Sequence, residues 1–238
     1  MSLLNLPVIA SSAILFWISY TPPSTAPPPV KSDKAKLGGM EMSFGRFIPV
    51  LSKICKIEGA IGYAFEAAVI IASHTPQSPA SVTTSSLTPS ADLANLKTPP
   101  AFFVGAALVT CGGFLRLACY RSLGSLFTFQ LLVRDNHRLI TDGPYTHIRH
   151  PSYAALWLVA AGATFMLFGP GSPFWQLGWM DTLVGRGILA MWLIQRVAEC
   201  VHMIPRIKYE DRFLKEEFGK EWESWARSTP YRLFPYVW

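Results

Sequence analysis

Five stretches of the chain are long and apolar enough to be considered membrane spans. They are Leu3 to Tyr20, Ile54 to Ser73, Pro100 to Cys119, Ser152 to Phe168, and Thr182 to Ile204. A helix needs about 20 mostly apolar residues to cross the hydrocarbon core of a bilayer. We therefore predict an all-α integral membrane protein with about five transmembrane helices.

The composition agrees with lipid as the solvent for much of the surface. Of the 238 residues, 50% are hydrophobic and only 15% are charged, whereas about 25% are charged in an average soluble domain. The cysteines lie far apart with no CxxC pair, and no histidine stands at zinc-finger spacing. We therefore expect neither a disulfide framework nor a metal site.

Basic residues alternate between the connections. The connections after the first and third stretches and the tail after the fifth hold most of the Lys and Arg, whereas the second connection holds only Lys97 and residues 169–181 hold none. The positive-inside rule then puts the N-terminus in the lumen and the C-terminal tail in the cytosol. Because these residues adjoin apolar segments and form no single basic face, we expect no nucleic-acid partner.

The first stretch has a second interpretation, a cleaved signal peptide. No Lys or Arg precedes its apolar run, so the basic region that opens a signal peptide is missing. We favour a retained first span.

The connection between the third and fourth stretches departs from ordinary loop composition. It contains LGSLF at 123–127, HRLI at 137–140, GPY at 143–145 and IRHPSY at 148–153. Pro151 suits the first turn of a helix, because its missing N–H costs nothing there. His150 is then expected at a helix N-terminus, where unpaired backbone N–H groups favour a carboxylate or a polar ligand edge. Anchoring of the span at the headgroups is the alternative role for these residues.

Polar side chains also recur on one face of the last predicted span. At about 100° per residue, the following residues fall within roughly one quadrant of a helix: Gln195, Glu199, His202, Arg206 and Glu210. Ionisable groups in a span usually face a cavity or one another. The face is therefore either a ligand site or a seam in which Glu199 pairs with His202 and Arg206 with Glu210.

Taken in order, these motifs resemble the isoprenylcysteine carboxyl methyltransferase family of membrane enzymes. The family's patterns LGxxF, HxL, GxY, RHPxY and RxxxE, with an aromatic tail, occur in that order between Leu123 and Trp238. Arg206 and Glu210 stand at the RxxxE positions. Asp211 departs from the family, many of whose members have a second Glu there.

The resemblance implies methyl transfer from S-adenosylmethionine to the α-carboxylate of a C-terminal prenylated cysteine, which gives a methyl ester. We assign Arg206 to the acceptor carboxylate, because a guanidinium fork can bind it bidentately, and Glu210 to the amino group of the cofactor. The other cofactor-binding residues that the resemblance implies are Gln130, His137, Arg138, Leu139, Ile140, Tyr145, His150, Pro151, Ser152 and Tyr153.

The implied partners are prenylated CaaX-type proteins after proteolysis, or prenylcysteine, together with membrane lipid. We expect the endoplasmic reticulum membrane, with the active site facing the cytosol. We divide the chain into N-terminal membrane helices with flexible Pro/Ser-rich connections, residues 1–120, and a catalytic methyltransferase region, residues 121–238. The aromatic tail, residues 213–238, is either a lid over the pocket or an interfacial anchor.

Two other classes of function stay open. A phospholipid N-methyltransferase or a sterol-reductase-like membrane enzyme has similar C-terminal segments, and an amine acceptor would need a base, for which His202 is the candidate. A non-catalytic membrane interaction protein is the third class. No GxGxxG follows a strand pattern and no GxxxxGK[ST] occurs, so an adenosyl cofactor must be held by helices and loops.

Overall fold

The regular secondary structure of the described part of the chain is all helical, with no strand. The computed structural model describes residues 1–23, 39–89, 93, 95–127 and 138–237, and only the backbone of residues 39–47, 80 and 125. The α-helices are α1 (Asn5–Ser19), α2 (Gly39–His74), α3 (Pro79–Leu87), α4 (Pro100–Leu123), α5 (Pro151–Phe168), α6 (Pro173–Gln176), α7 (Leu183–Phe218) and α8 (Lys220–Ser228). Short 3-10 turns lie at Gly124–Leu126, Gly143–Thr146 and Trp179–Asp181. The all-α prediction is confirmed.

Three helices are long and apolar enough to cross a membrane among the residues that the structure describes. They are α4, α7 and the segment Pro151–Gln176, which contains α5 and α6. Helix α1 is apolar but has only 15 residues, about 22 Å at 1.5 Å per residue, and α2 does not meet the same criteria. The total of five spans therefore stays a prediction.

Helices α4 and α5 approach closely because both carry glycine at the crossing. A Cβ on Gly105 would lie 2.6 Å from the carbonyl oxygen of Gly162, and a Cβ on Gly162 would lie 2.6 Å from the carbonyl oxygen of Gly105. Small residues let membrane helices approach backbone to backbone. A Cβ on Gly112 would likewise lie 2.7 Å from the carbonyl oxygen of Ala155, so the N-terminal part of α5 lies beside the C-terminal half of α4.

The two ends of α7 follow from its sequence. Thr182 caps the start, since its side-chain oxygen accepts a hydrogen bond from the backbone N–H of Gly185 at 2.9 Å, and the helix ends at Gly219, which has φ +52°. Beyond the apolar stretch, which ends at Ile204, the helix continues through Pro205 to Phe218. The extension carries Arg206, Glu210 and Asp211 on one continuous helix toward the N-terminus of α5.

Candidate active site

A cavity of about 950 Å³ lies beside the N-terminus of α5. Its walls come from α2, α4, α5, α7, the end of α1 and the loop before α5. The residues predicted from the sequence that line it are Arg138, Leu139, Ile140, Tyr145, His150, Ser152, Tyr153, Arg206 and Glu210. Pro151 is fully buried in the first turn of α5 beside them, and Gln130 and His137 lie outside the described residues.

Tyr153 stands between Arg206 and Glu210. The Nε of Arg206 donates to the Tyr153 hydroxyl at 2.8 Å, and that hydroxyl donates to the Glu210 carboxylate at 2.7 Å. Arg206 is only 4% exposed. One phenol from α5 therefore orients the guanidinium and the carboxylate of α7, and all three line the cavity.

Asp211 gathers three basic side chains beside this group. Its carboxylate accepts from His150 Nε2 at 2.9 Å, Arg149 Nη2 at 3.3 Å and Arg232 Nε at 2.9 Å. An ionised carboxylate only accepts hydrogen bonds, so His150 carries a proton on Nε2. His150 Nδ1 lies 3.9 Å from the Glu210 carboxylate.

The tail packs against the loop before α5. The backbone N–H groups of Arg149 and His150 donate to the carbonyl oxygens of Tyr231 and Arg232, at 2.9 and 2.8 Å. Trp225 of α8 donates its indole N–H to the Tyr145 carbonyl at 3.1 Å and lines the cavity. Of the two roles considered for the tail, these contacts favour a cover over the pocket.

Tyr145 enters the cavity wall from the turn that begins at Gly143, whose φ of +59° suits glycine. The side chain is 7% exposed. Burial, with the nearby Cys119 and Glu210, raises the pKa of the Tyr145 phenol well above its ordinary value. The phenol is therefore neutral throughout the physiological pH range.

A second buried polar cluster lies farther along α7. The Glu199 carboxylate accepts from the Tyr20 hydroxyl at 3.1 Å and pairs with Arg196 at 3.0 Å. Arg196 also lies 3.4 Å from Glu58 and donates to the Cys55 sulfur at 2.9 Å. The seam considered as an alternative paired Glu199 with His202, but Glu199 pairs with Arg196 instead. His202 Nδ1 bonds the Ala198 carbonyl at 2.7 Å.

Sequence reasoning missed two buried arginines. Arg196 holds the second cluster together, and Arg116 of α4 lines the cavity while being only 2% exposed. Each is an ionisable residue inside an apolar stretch of the sequence. This feature could have identified both residues, because ionisable residues in membrane helices usually have a function. No group of three His, Cys, Asp or Glu side chains suited to a metal ion occurs in the portion of the chain described.

The fold and the cavity define an all-α protein with membrane-spanning helices that hold a charged pocket near the ends of α4, α5 and α7. Residues 105–216 match the family model for the isoprenylcysteine carboxyl methyltransferase family. The resemblance inferred from the motifs is therefore confirmed over these residues, which include the RHPxY and RxxxE positions.

Curated proteins give the same result over about half of the chain. A rice protein (Oryza sativa subsp. indica) named "Probable protein-S-isoprenylcysteine O-methyltransferase" is 30% identical over 129 residues, covering 53% of this chain and 58% of that protein. Protein-S-isoprenylcysteine O-methyltransferase B of Arabidopsis thaliana is 28% identical over 53% of this chain and 55% of its own. The Dictyostelium discoideum protein-S-isoprenylcysteine O-methyltransferase is 29% identical over 57% of this chain and 50% of its own. The chain thus spans about half the length of the relatives that it matches, and no solved structure matches it.

Proposed function

We propose that this protein transfers a methyl group from S-adenosylmethionine to the α-carboxylate of a C-terminal prenylated cysteine and so forms a methyl ester. The observation that carries the proposal is the bridge from Arg206 through Tyr153 to Glu210 in the cavity wall. It places a fixed guanidinium next to a fixed carboxylate, within the segment that matches the family model.

The side chains of the cavity fit an adenosyl donor with an amino-acid end. Glu210 offers a carboxylate to an ammonium group, and the faces of Tyr145 and Tyr153 are suited to a positively charged sulfur. Arg149 also lines the cavity, where its guanidinium is held by the Asp211 carboxylate at 3.3 Å. When bound, the donor supplies an activated methyl group.

The acceptor makes few chemical demands on the protein. A carboxylate is already ionised at neutral pH, so no general base is needed to generate the nucleophile. Arg206 would hold one face of the carboxylate and set its direction, and Tyr153 would keep the guanidinium in position. Exclusion of water by the packed tail strengthens these electrostatic contacts.

The same cavity has an apolar part that suits a prenyl chain. The side chains that line it from α2, α5 and α7 include Ile48, Leu51, Ile54, Leu156 and Met203. Burial of a prenyl chain is favourable by about 0.8 kcal/mol per methylene-sized group. We assign the prenyl group of a processed CaaX-type protein, or of free prenylcysteine, to this part.

We further propose that residues 121–238 form the catalytic region and that the cavity opens to the cytosol from the endoplasmic reticulum membrane. Arg116, Tyr20 and Leu51 also line the cavity, so the N-terminal helices would complete the pocket. The basic connections on either side of the pocket support a cytosolic orientation.

Methylation with labelled S-adenosylmethionine tests the proposal. Purified protein in lipid nanodiscs is given N-acetyl-S-farnesylcysteine in one reaction and phosphatidylethanolamine in another. We expect alkali-labile label on the farnesylcysteine and none on the phospholipid. Label on the phospholipid alone would establish an amine acceptor, and no label on either acceptor would contradict methyl transfer to both.

A further inference from the structure

Arg116 is a buried cation in the cavity that the proposed chemistry has not yet used. It lies near the C-terminal end of α4, is 2% exposed and lines the same cavity as Arg206. Its neighbours are the end of α1 and the first turn of α5.

All the hydrogen bonds of Arg116 go to uncharged acceptors. Its Nε donates to the Ser19 carbonyl at 3.2 Å and to the Tyr120 hydroxyl at 3.0 Å, and its Nη1 donates to the Ser152 carbonyl at 3.0 Å and to the Ser152 hydroxyl. The rings of Tyr120 and Phe127 lie 5.1 and 5.0 Å from the guanidinium carbon. Nη2 donates no hydrogen bond within the described part of the chain.

The positive charge of Arg116 has no carboxylate within 4.0 Å among the described residues. Two of the other buried arginines differ, because Arg196 pairs with Glu199 at 3.0 Å and Arg149 pairs with Asp211 at 3.3 Å. Burial of an unpaired charge is costly, and a guanidinium is never deprotonated in a protein. Among the described residues Arg116 thus interacts with the Glu199 carboxylate only beyond contact distance, and an anionic ligand would give its charge a direct partner.

Arg116 and Arg206 contact adjacent residues at the start of α5. Arg116 donates to Ser152 and Arg206 to Tyr153, and successive residues of a helix point about 100° apart. The two guanidinium groups thus approach the first turn of α5 from different directions, and both line the cavity.

We propose that Arg116 binds a carboxylate of a ligand in this cavity, as a second anion subsite beside Arg206. The inference rests on the proposed function, in which two carboxylates enter the cavity, one on the amino-acid end of the donor and one on the acceptor. Arg206 receives the acceptor carboxylate, and Arg116 receives the carboxylate of the donor through Nη2. The fixed hydrogen bonds of Nε and Nη1 orient the guanidinium before the ligand arrives.

A double-mutant cycle between protein and ligand separates this role from a structural one. Dissociation constants are measured in nanodiscs for wild type, Arg116→Gln and Arg116→Lys. The donor pair is S-adenosylhomocysteine and its analogue that lacks only the carboxylate. The acceptor pair is N-acetyl-S-farnesylcysteine and its carboxamide. Arg121→Gln, an exposed arginine of the same helix, is the matched control, and thermal unfolding reports the fold.

Loss of one hydrogen bond to a charged group predicts that Arg116→Gln weakens one carboxylate-bearing ligand by about 10- to 150-fold. Arg116→Gln should weaken binding of the analogue without the carboxylate by less than about 2-fold, because that analogue makes no hydrogen bond to Arg116 that the substitution could remove. We expect the difference in the donor pair, because Arg206 holds the acceptor carboxylate. A difference confined to the acceptor pair would overturn this assignment of Arg116. Arg116→Lys keeps the charge and should give a smaller difference in the same pair, so it tests the proposal even if Arg116→Gln does not fold.

Equal weakening within both pairs, or none, would overturn the subsite and make Arg116 a structural tie between α1, α4 and α5. If the ligand pairs give that result but wild type methylates farnesylcysteine, the proposed function is retained and only the Arg116 subsite is rejected. If wild type binds neither carboxylate-bearing ligand, the subsite and the proposed function are both contradicted.

Discussion

His150 is bonded to Asp211 across 61 residues of sequence, with Nε2 and the carboxylate oxygen 2.9 Å apart. The bond joins the N-terminus of α5 to the polar C-terminal extension of α7, and Asp211 also binds Arg149 and Arg232. Asp211 therefore links the loop before α5, helix α7 and the tail.

Replacement of this carboxylate should loosen all three elements. Asp211→Ala leaves two arginines and a histidine without their shared partner, and removal of one partner from a buried charged group costs about 3 to 5 kcal/mol. We expect a lower thermal unfolding temperature in detergent and faster proteolysis of the tail. Glu223→Gln is the control, because the Lys215–Glu223 pair is exposed and should contribute little. Equal melting temperatures for the two variants would contradict the linking role of Asp211.

Removal of the Tyr153 hydroxyl should disturb the site without disturbing the fold. Tyr153→Phe keeps the ring but removes the bridge between Arg206 and Glu210. Loss of two hydrogen bonds to charged groups predicts a decrease in methylation rate of at least about 10-fold. Tyr63→Phe is the matched control, since its buried hydroxyl has no partner in the described regions. A Tyr153→Phe enzyme as fast as wild type would show that the bridge is structural.

His150 and Tyr145 allow a test of the donor pocket. If they form part of it, His150→Ala and Tyr145→Ala should weaken the binding of S-adenosylmethionine, as measured by isothermal titration calorimetry on folded protein. The neutral phenol of Tyr145 further predicts that this affinity does not change between pH 7 and 9 through titration of that group. Unchanged affinity in both variants would return the two residues to an anchoring role at the headgroups.

The topology prediction concerns the sidedness of the pocket. Single cysteines placed in residues 138–149 and in the tail after Arg206 should react with an impermeant reagent from the cytosolic side of sealed vesicles. The positive-inside pattern supports this result. Labelling of either region from the lumen would mean that the loop and the tail cannot form one cytosolic site.

Local sequence rules predicted the part of the site that local structure controls. Pro151 has no backbone N–H and therefore marks the first turn of α5, with His150 just before it, as observed. The 100° periodicity placed Glu199, Arg206 and Glu210 on a cavity-lining face of α7, because helix geometry alone determines that spacing.

Local sequence rules do not predict contacts between segments that are distant in the sequence. Arg196 is hydrogen-bonded to Tyr20, which is 176 residues away in the sequence, and Arg116 is hydrogen-bonded to Ser19, which is 97 residues away. These partners depend on how the helices pack. Hydropathy falls after Ile204, but neither the polar residues nor Pro205 ends α7 before Gly219. Hydropathy reports the solvent around a helix, whereas its end depends on backbone hydrogen bonding.

The turnover of Arg206→Lys tests the central claim most directly, namely that Arg206 holds the acceptor carboxylate. Lysine keeps the charge but loses the planar fork. Loss of one charge-assisted hydrogen bond, about 1.5 to 3 kcal/mol, corresponds to about 10- to 150-fold in rate if it is expressed in the transition state.

We therefore predict that Arg206→Lys methylates N-acetyl-S-farnesylcysteine at least about 10-fold more slowly than wild type, with nearly unchanged affinity for S-adenosylmethionine. Glu210→Gln is the comparison, and its deficit should fall mainly on that affinity. Methylation by Arg206→Lys at the wild-type rate would contradict the assignment and make Arg206 a structural partner of Tyr153.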